Sequence, residues 1–329
     1  MRLSIRTATS LGRACAISIT TVVFAVGSVR AQSSPPLTVP EPELAAALSC
    51  PVAFTHADHP PVLLVHGTAI TPEQSWAWNY AKVLPGLGYD VCTVRLPDHA
   101  LGDIQVASDY VVFAVRTMAA ASNRRIAVIG HSQGGLEPRW ALRWWPDLRS
   151  LVDDYVGLAS PNHGIYAADA CAQSGNCWPA VWQMAENSHF LAVLNSVDEA
   201  AVPVSYTNVY SLTDELVQPE VPTPTSALRA ATNVTNLAIQ DVCPGRPVHH
   251  VGLLADAVTF AIVMDALDHE GPADPSRLAA SICTQTLMPG VTAADVAAGN
   301  LMVYGDGAIA FSEHSGTPAE PPVAPYASE

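Results

Sequence analysis

The chain has 329 residues, 49% hydrophobic and 14% charged, with 15 Lys plus Arg against 30 Asp plus Glu for a net charge of −15. So acidic a surface repels phosphate backbones and anionic headgroups, which argues against a nucleic-acid partner, and Lys82 is the only lysine. The length suits one large α/β domain, because no linker-like stretch divides the middle of the chain.

Residues 1–31 differ from the rest. Arg2, Arg6 and Arg13 lead into the apolar run 14–26, and Val29-Arg30-Ala31 follows. This is the pattern of a secretory signal peptide, and its apolar part is too short for a membrane span. An exported, extracellular protein is expected, with no stable membrane insertion. Removing Arg2, Arg6, Arg13 and Arg30 leaves 11 basic residues against 30 acidic ones, a charge of −19. Six cysteines remain after Cys15 is discounted, and an even count after export implies disulfides. Cys171 and Cys177 are close enough to favour each other. There is no Cys-x-x-Cys and no Cys/His cluster, so no metal site is expected.

A Pro/Ser-rich flexible leader is expected over 32–44, a catalytic domain over 45–310, and a Pro-rich tail over 311–329. The apolar run at 61–66 reads as a strand that stops at Gly67-Thr68, where backbone N–H groups and the Thr68 hydroxyl can face a developing oxyanion. Residues 74–87 read as a helix, 89–96 as a strand and 106–121 as a long helix. The run 125–129 is a further strand, ending in Gly130-His131-Ser132-Gln133-Gly134, and 136–145 reads as a helix. Strand, tight G-x-S-x-G turn and helix together make a nucleophile elbow that holds the Ser132 hydroxyl clear at the strand's end. A dinucleotide or phosphate loop is the competing reading, but neither G-x-G-x-x-G nor G-K-[ST] occurs. A strand at 155–159 continues the alternation, which predicts a mainly parallel sheet with helices on both faces and reactive residues at the strands' carboxyl ends.

Beyond Ser160-Pro161-Asn162-His163-Gly164 the periodicity weakens, and a small cap is expected over about 164–196. A strand at 203–211 delivers Asp214 to the active edge. Residues 246–251 read as a short strand carrying His249 and His250, before a helix at 253–267. A serine nucleophile needs a base, and the base needs a carboxylate to fix its tautomer. Elbow folds order these groups as Ser, acid, His, which leaves His249, His250, His269 and His314 as candidates. Neighbours on a strand point oppositely, so only one of His249 and His250 can face Ser132, and His250, next to Val251-Gly252, is chosen.

Residues spread along the chain resemble the fungal lipase B family of α/β-hydrolases: Gly67-Thr68, Ser132-Gln-Gly-Gly-Leu136, Arg149-Ser150, Val181-Trp-Gln183, Thr213-Asp-Glu215, Val217-Gln-Pro219 and Val242-Cys243. That resemblance implies the α/β-hydrolase fold, Ser132 as nucleophile, Asp214 as orienting acid and His250 as base. It also implies Thr68 and Gln133 as oxyanion donors, and bridges Cys50–Cys92 and Cys243–Cys283 beside Cys171–Cys177. His131, Asn162, Trp182 and Gln183 are placed in the substrate pocket. His131 stands where the family has a tryptophan, so the pocket for the alcohol part of the ester is expected to differ. The expected protein is a secreted, monomeric ester hydrolase of the triacylglycerol lipase type, acting on ester or lipid substrate without cofactor or metal. A short-chain esterase, a polyester hydrolase or a thioesterase would use the same triad. An inactive hydrolase fold kept for binding would have no need of all three residues.

Overall fold

The computed structural model describes Ser4 and residues 34–328; apart from Ser4, the expected signal peptide lies outside the described residues. Among the described residues, seven strands form one sheet: β1 (Leu48–Ser49), β2 (Val62–Val65), β3 (Val91–Val94), β4 (Ile126–His131), β5 (Val152–Leu158), β6 (Ser205–Tyr210) and β7 (Val234–Ala238). Their spatial order is β1-β3-β2-β4-β5-β6-β7, with β1 antiparallel to β3 and every other neighbouring pair parallel. The helices are α1 (Glu41–Ala47), α2 (Pro72–Trp76), α3 (Tyr80–Val83), α4 (Ile104–Ser122), α5 (Leu136–Trp144), α6 (Tyr166–Gln173), α7 (Pro179–Gln183), α8 (His189–Leu194), α9 (Ile239–Val242), α10 (Ala257–Asp268), α11 (Ala293–Asn300) and α12 (Gly307–Glu313).

Strand β2, and β4 up to His131 at its carboxyl end, are apolar because the sheet is covered on both faces. On β2, Leu63 and Val65 enter one core with Leu44, Val111 and Trp140, while Val62 and Leu64 enter the other with Tyr80, Val258 and Ile262. β4 alternates in the same way, Ile126 and Val128 to the first core and Ala127 and Ile129 to the second. Strands that bury both faces read as continuous Val/Ile/Leu runs, which is why these were readable in sequence. Helix α4 begins where Asp103 accepts from Gln105 N at 2.9 Å and ends at Asn123 in the left-handed region (φ 51°).

Several expected elements differ in form. The helix expected at 74–87 is split into α2, α3 and a 3-10 turn at Leu84–Leu87. Asn79, with φ −134° and ψ −108°, breaks the chain and caps α3 through Tyr80 N. No strand forms at 246–251; the segment is a loop leading into a 3-10 turn, Val251–Leu254. The leader is docked from Ser34 onward: Asp109 Oδ2 accepts from Thr38 N and Oγ1 at 2.6 and 2.7 Å, and Leu44 is buried in the core. The tail is likewise fastened. Helix α12 crosses the expected boundary at 310/311, Thr317 pairs with Cys177, and Tyr326 accepts from Trp140 Nε1 at 3.0 Å. Disulfides join Cys50 to Cys92, Cys171 to Cys177 and Cys243 to Cys283.

Candidate active site

The turn after β4 is built by close backbone approach. Ser132 has φ 57°, a left-handed conformation that a non-glycine residue holds only where its surroundings enforce it. Those surroundings need glycine: a Cβ on Gly130 would lie 2.1 Å from Gly134 O, and one on Gly134 would lie 2.4 Å from Val65 O. Ser132 therefore stands at the end of β4 against β2, beside Gly67 and Thr68, and in front of the first turn of α5. The N–H groups of such a turn have no intrahelical acceptor, so those of Ser132's neighbours are free to bind an anion. The loop after β2 is clasped by His66. Its Nε2 accepts from Leu96 N at 3.0 Å, which places the proton on Nδ1, 2.9 Å from Gly67 O. Burial lowers the His66 pKa to about 4, so this clasp stays neutral.

The second half of the site comes from loops beyond β6 and β7. Asp214 Oδ1 accepts from the backbone N–H groups of Leu216 and Val217 at 2.8 and 2.9 Å, and Oδ2 lies 2.8 Å from His250 Nδ1. Burial would raise this carboxyl, but adjacent His250, its hydrogen bond and the two backbone donors outweigh burial and hold it below the usual carboxylate range. An ionised Asp214 fixes the proton on His250 Nδ1 and leaves Nε2 as an acceptor. His250 and Ser132 both line one cavity of about 540 Å³. No hydrogen bond joins them among the described residues, which is common before a substrate draws the pair together.

The cavity is walled mainly by apolar groups, Ile165 and Ala168 from the cap, Leu216 and Val217 beside Asp214, and Val303 and Phe311 from the C-terminal helices. Thr68 and His131 also line it. Gln133 is buried behind it, its side-chain Oε1 accepting from the Thr68 hydroxyl at 2.6 Å. His131 lies with its ring 4.6 Å from that of His250 and its Nε2 3.3 Å from His250 O, while Nδ1 has no partner. Burial, aided by His250, lowers its pKa to about 3, so it is a polar but uncharged wall.

Three residues expected in the pocket are elsewhere. Asn162 is fully buried, donating to Ser226 O at 2.7 Å and accepting from Arg139 at 3.0 Å, and so holds the turn after β5. Gln183 accepts from Ile104 N at 2.7 Å and donates to Asp103 at 2.6 Å, fastening the start of α4. Trp182 donates to Thr317 O at 3.0 Å and anchors the tail. The sequence reading also missed residues that do shape the site. Thr213 Oγ1 donates to Val248 O and accepts from Val248 N at 3.1 and 3.0 Å, tying the Asp214 loop to the His250 loop. Glu215 Oε2 accepts from His250 N at 2.9 Å, and its other oxygen accepts from the Tyr304 hydroxyl. Both flank Asp214 in sequence, which was the available clue. Tyr304, Val303 and Phe311 lie in an Ala/Gly-rich stretch whose weak periodicity offered none.

The chain is 34% identical over 240 residues to lipase B of Pseudozyma antarctica, spanning 71% of this chain and 69% of that protein. Its structure matches that of Aspergillus fumigatus lipase B with a TM-score of 0.83 at 30% identity, over 92% of this chain and 75% of the other. The fold extends to a lipase of Bacillus licheniformis, with a TM-score of 0.53 at 18% identity over 67% and 97% of the two chains. Residues 62–303 match the alpha/beta hydrolase family, and the chain belongs to that family, alongside the fungal lipases B.

Proposed function

We propose that the protein is a secreted serine hydrolase that cleaves carboxylic esters, with the acyl esters of a lipase as its substrate class. The observation that carries this reading is the convergence of Ser132 and the Asp214–His250 pair on one apolar cavity of about 540 Å³. Ser132 Oγ attacks the ester carbonyl while His250 Nε2 takes its proton, and Asp214 stabilises the resulting imidazolium. Thr68 and the backbone N–H of Gln133 stabilise the oxyanion. Collapse of the tetrahedral intermediate expels the alcohol, which receives the proton from His250, and water then releases the acid by the same steps in reverse. A cavity of this size with apolar walls favours an acyl chain over a small acetyl group. Exposed apolar residues beside the lining ones, Tyr166, Leu301 and Ile309, fit a substrate presented at a lipid–water interface. Three disulfides and the signal-like first 31 residues support export.

Labelling by a fluorophosphonate, together with rates on p-nitrophenyl esters from acetate to palmitate and on emulsified triglyceride, tests the reading. Modification is expected at Ser132, with loss of both label and hydrolysis in Ser132→Ala at unchanged thermal stability. Label on another residue of an active protein would overturn it.

A further inference from the structure

A buried carboxyl stands directly behind the proposed oxyanion donors, and the triad does not use it. Glu137 is fully buried in the first turn of α5. Its Oε1 accepts from Gln133 Nε2 at 2.9 Å, and Gln133 Oε1 accepts from the Thr68 hydroxyl at 2.6 Å. Glu137 Oε2 is buried without a partner. The three side chains thus form one line from the interior to the cavity wall.

The Gln133 amide has a donor end and an acceptor end, and the proton on Glu137 decides which end each neighbour meets. An ionised carboxylate only accepts, so it draws the amide NH2. The amide oxygen then takes the Thr68 proton, as in the arrangement described, and the hydroxyl points away from the cavity. A protonated Glu137 can instead donate to the amide oxygen once the amide has turned by half a rotation. The NH2 then donates to Thr68 Oγ1, and the Thr68 proton is released toward the cavity. Keeping the first arrangement with a protonated Glu137 would leave a buried O–H at Oε2 without an acceptor.

We propose that Glu137, acting through Gln133, is a positioning residue that sets the direction of the Thr68 hydroxyl: neutral Glu137 points it at the oxyanion, ionised Glu137 turns it back. The proposal rests on the ester-hydrolase reading above. Its surroundings favour the neutral form near pH 7. Burial raises the carboxyl to about 8, against the opposing pull of the Gln133 bond and its own backbone N–H. No cation faces it. On α5 itself Arg139 binds Asn162 and Asn195, and Arg143 binds Ser196. From α4, Asp109 is taken by Thr38, Tyr110 by Glu43 and Arg116 by Asp147. Arg149, after α5, donates to Leu142 O, and His189 of α8 is held by Glu320. His131 of β4 turns to His250, and Tyr155 of β5, the titratable group that senses Glu137, donates to Gly135 O.

The test is kcat and KM on a short soluble p-nitrophenyl ester from about pH 6 to 10 for wild type, Glu137→Gln and Thr68→Val. Wild-type kcat is expected to fall roughly 10-fold across the alkaline half of that range, with KM nearly constant, as one donor to the oxyanion is withdrawn. Glu137→Gln presents an NH2 in place of the acid proton, so its profile is expected to be level and within about threefold of wild type at pH 7. Thr68→Val is expected to be slower at every pH and equally level, because it has no hydroxyl to turn. An infrared band of a protonated carboxyl that vanishes on raising the pH in wild type, and is missing from Glu137→Gln, reads the proton without turnover. An alkaline fall that survives in either variant, or a level wild-type profile in protein labelled at Ser132, overturns the relay and leaves the hydrolase reading intact. A protein that neither turns over nor labels at Ser132 overturns both.

Discussion

The two halves of the site are held in opposite ways. Ser132, Gly67 and Thr68 stand at the ends of adjacent parallel strands, β4 and β2, paired from Val62 with Ala127 to Val65 with Gly130. Asp214 and His250 stand on loops, and what aligns them is a set of side-chain bonds between segments distant in the chain. Thr213 bridges to Val248, Glu215 holds His250 N, and Arg246 binds Asp256 at 2.6 Å as well as the carbonyls of Gln285 and Thr286. A position set by a sheet resists local change because the whole ladder shares the load. A position set by a few side chains fails when one of them is lost.

The largest expected effect separates two adjacent histidines of the loop-built half. His250→Ala removes the proposed base and is expected to lower kcat by at least about 10⁴-fold. His249 is exposed and its Nδ1 only accepts from Gly252 N, so His249→Ala is expected to cost less than about fivefold in kcat. Steady-state rates on one ester compare the two directly. Equal losses would mean that the loop as a whole, and not the His250 ring, carries the function.

A second test removes a tether from the same half. The Cys243–Cys283 bridge closes a separation of 40 residues just ahead of His250. In the chain-entropy picture such a closure contributes roughly 4 kcal/mol at most. Cys243→Ala with Cys283→Ala is expected to lower the melting temperature, and on heating to lose ester hydrolysis before the far-ultraviolet circular dichroism changes. Loss of both at one temperature would show that the two halves melt as one unit.

The same division governs what could be read from the sequence. The elbow was legible because its geometry is written in consecutive residues: an apolar run, two glycines with no room for a Cβ, and a helix. The parallel sheet followed from the alternation of elements. Asp214 and His250 were chosen by chain order and by resemblance and do lie hydrogen-bonded to each other, yet 246–251 forms a loop where a strand was expected to carry His250, and Thr213 and Glu215 were not weighed. Asn162 and Gln183 were assigned to the pocket. Both face inward to backbone groups instead, the usual fate of a buried amide, since unpaired backbone N–H and C=O groups are costly. Glu137 gave no sign at all. A glutamate in a helix next to an elbow reads as a surface residue until tertiary packing shows what covers it.

The smallest expected effect sharpens the comparison by pH. Glu220 lies in the loop after Asp214, and Ser226 donates to its Oε1 at 2.5 Å while Oε2 is buried without a partner. Burial, opposed by the Ser226 bonds and assisted by Asp214, raises its pKa to about 8. Glu137 is raised to about the same value behind the strand-built half. The folded state therefore keeps a proton on each where the unfolded chain has lost it. Their contribution to stability is fully present below the ordinary carboxylate pKa of about 4.5 and is lost as the pH rises to about 8. Glu199 has the opposite sign. Burial would raise it, but the His163 bond, the Arg229 backbone N–H and Arg139 together lower it to about 2, so its contribution disappears as the pH falls from about 4.5 to 2. Melting temperature is thus expected to peak near pH 5 and to decline on both sides. Glu220→Gln should flatten the alkaline decline by an amount on the order of 5 °C while leaving the pH dependence of kcat as in wild type. Glu137→Gln should flatten the decline and also abolish the alkaline fall in kcat. Calorimetry and rates on the two variants, run over one pH series, separate a buried acid that only loads the fold from one that also steers the oxyanion site. An alkaline fall in kcat that responded to Glu220→Gln would place the controlling proton in the loop-built half instead.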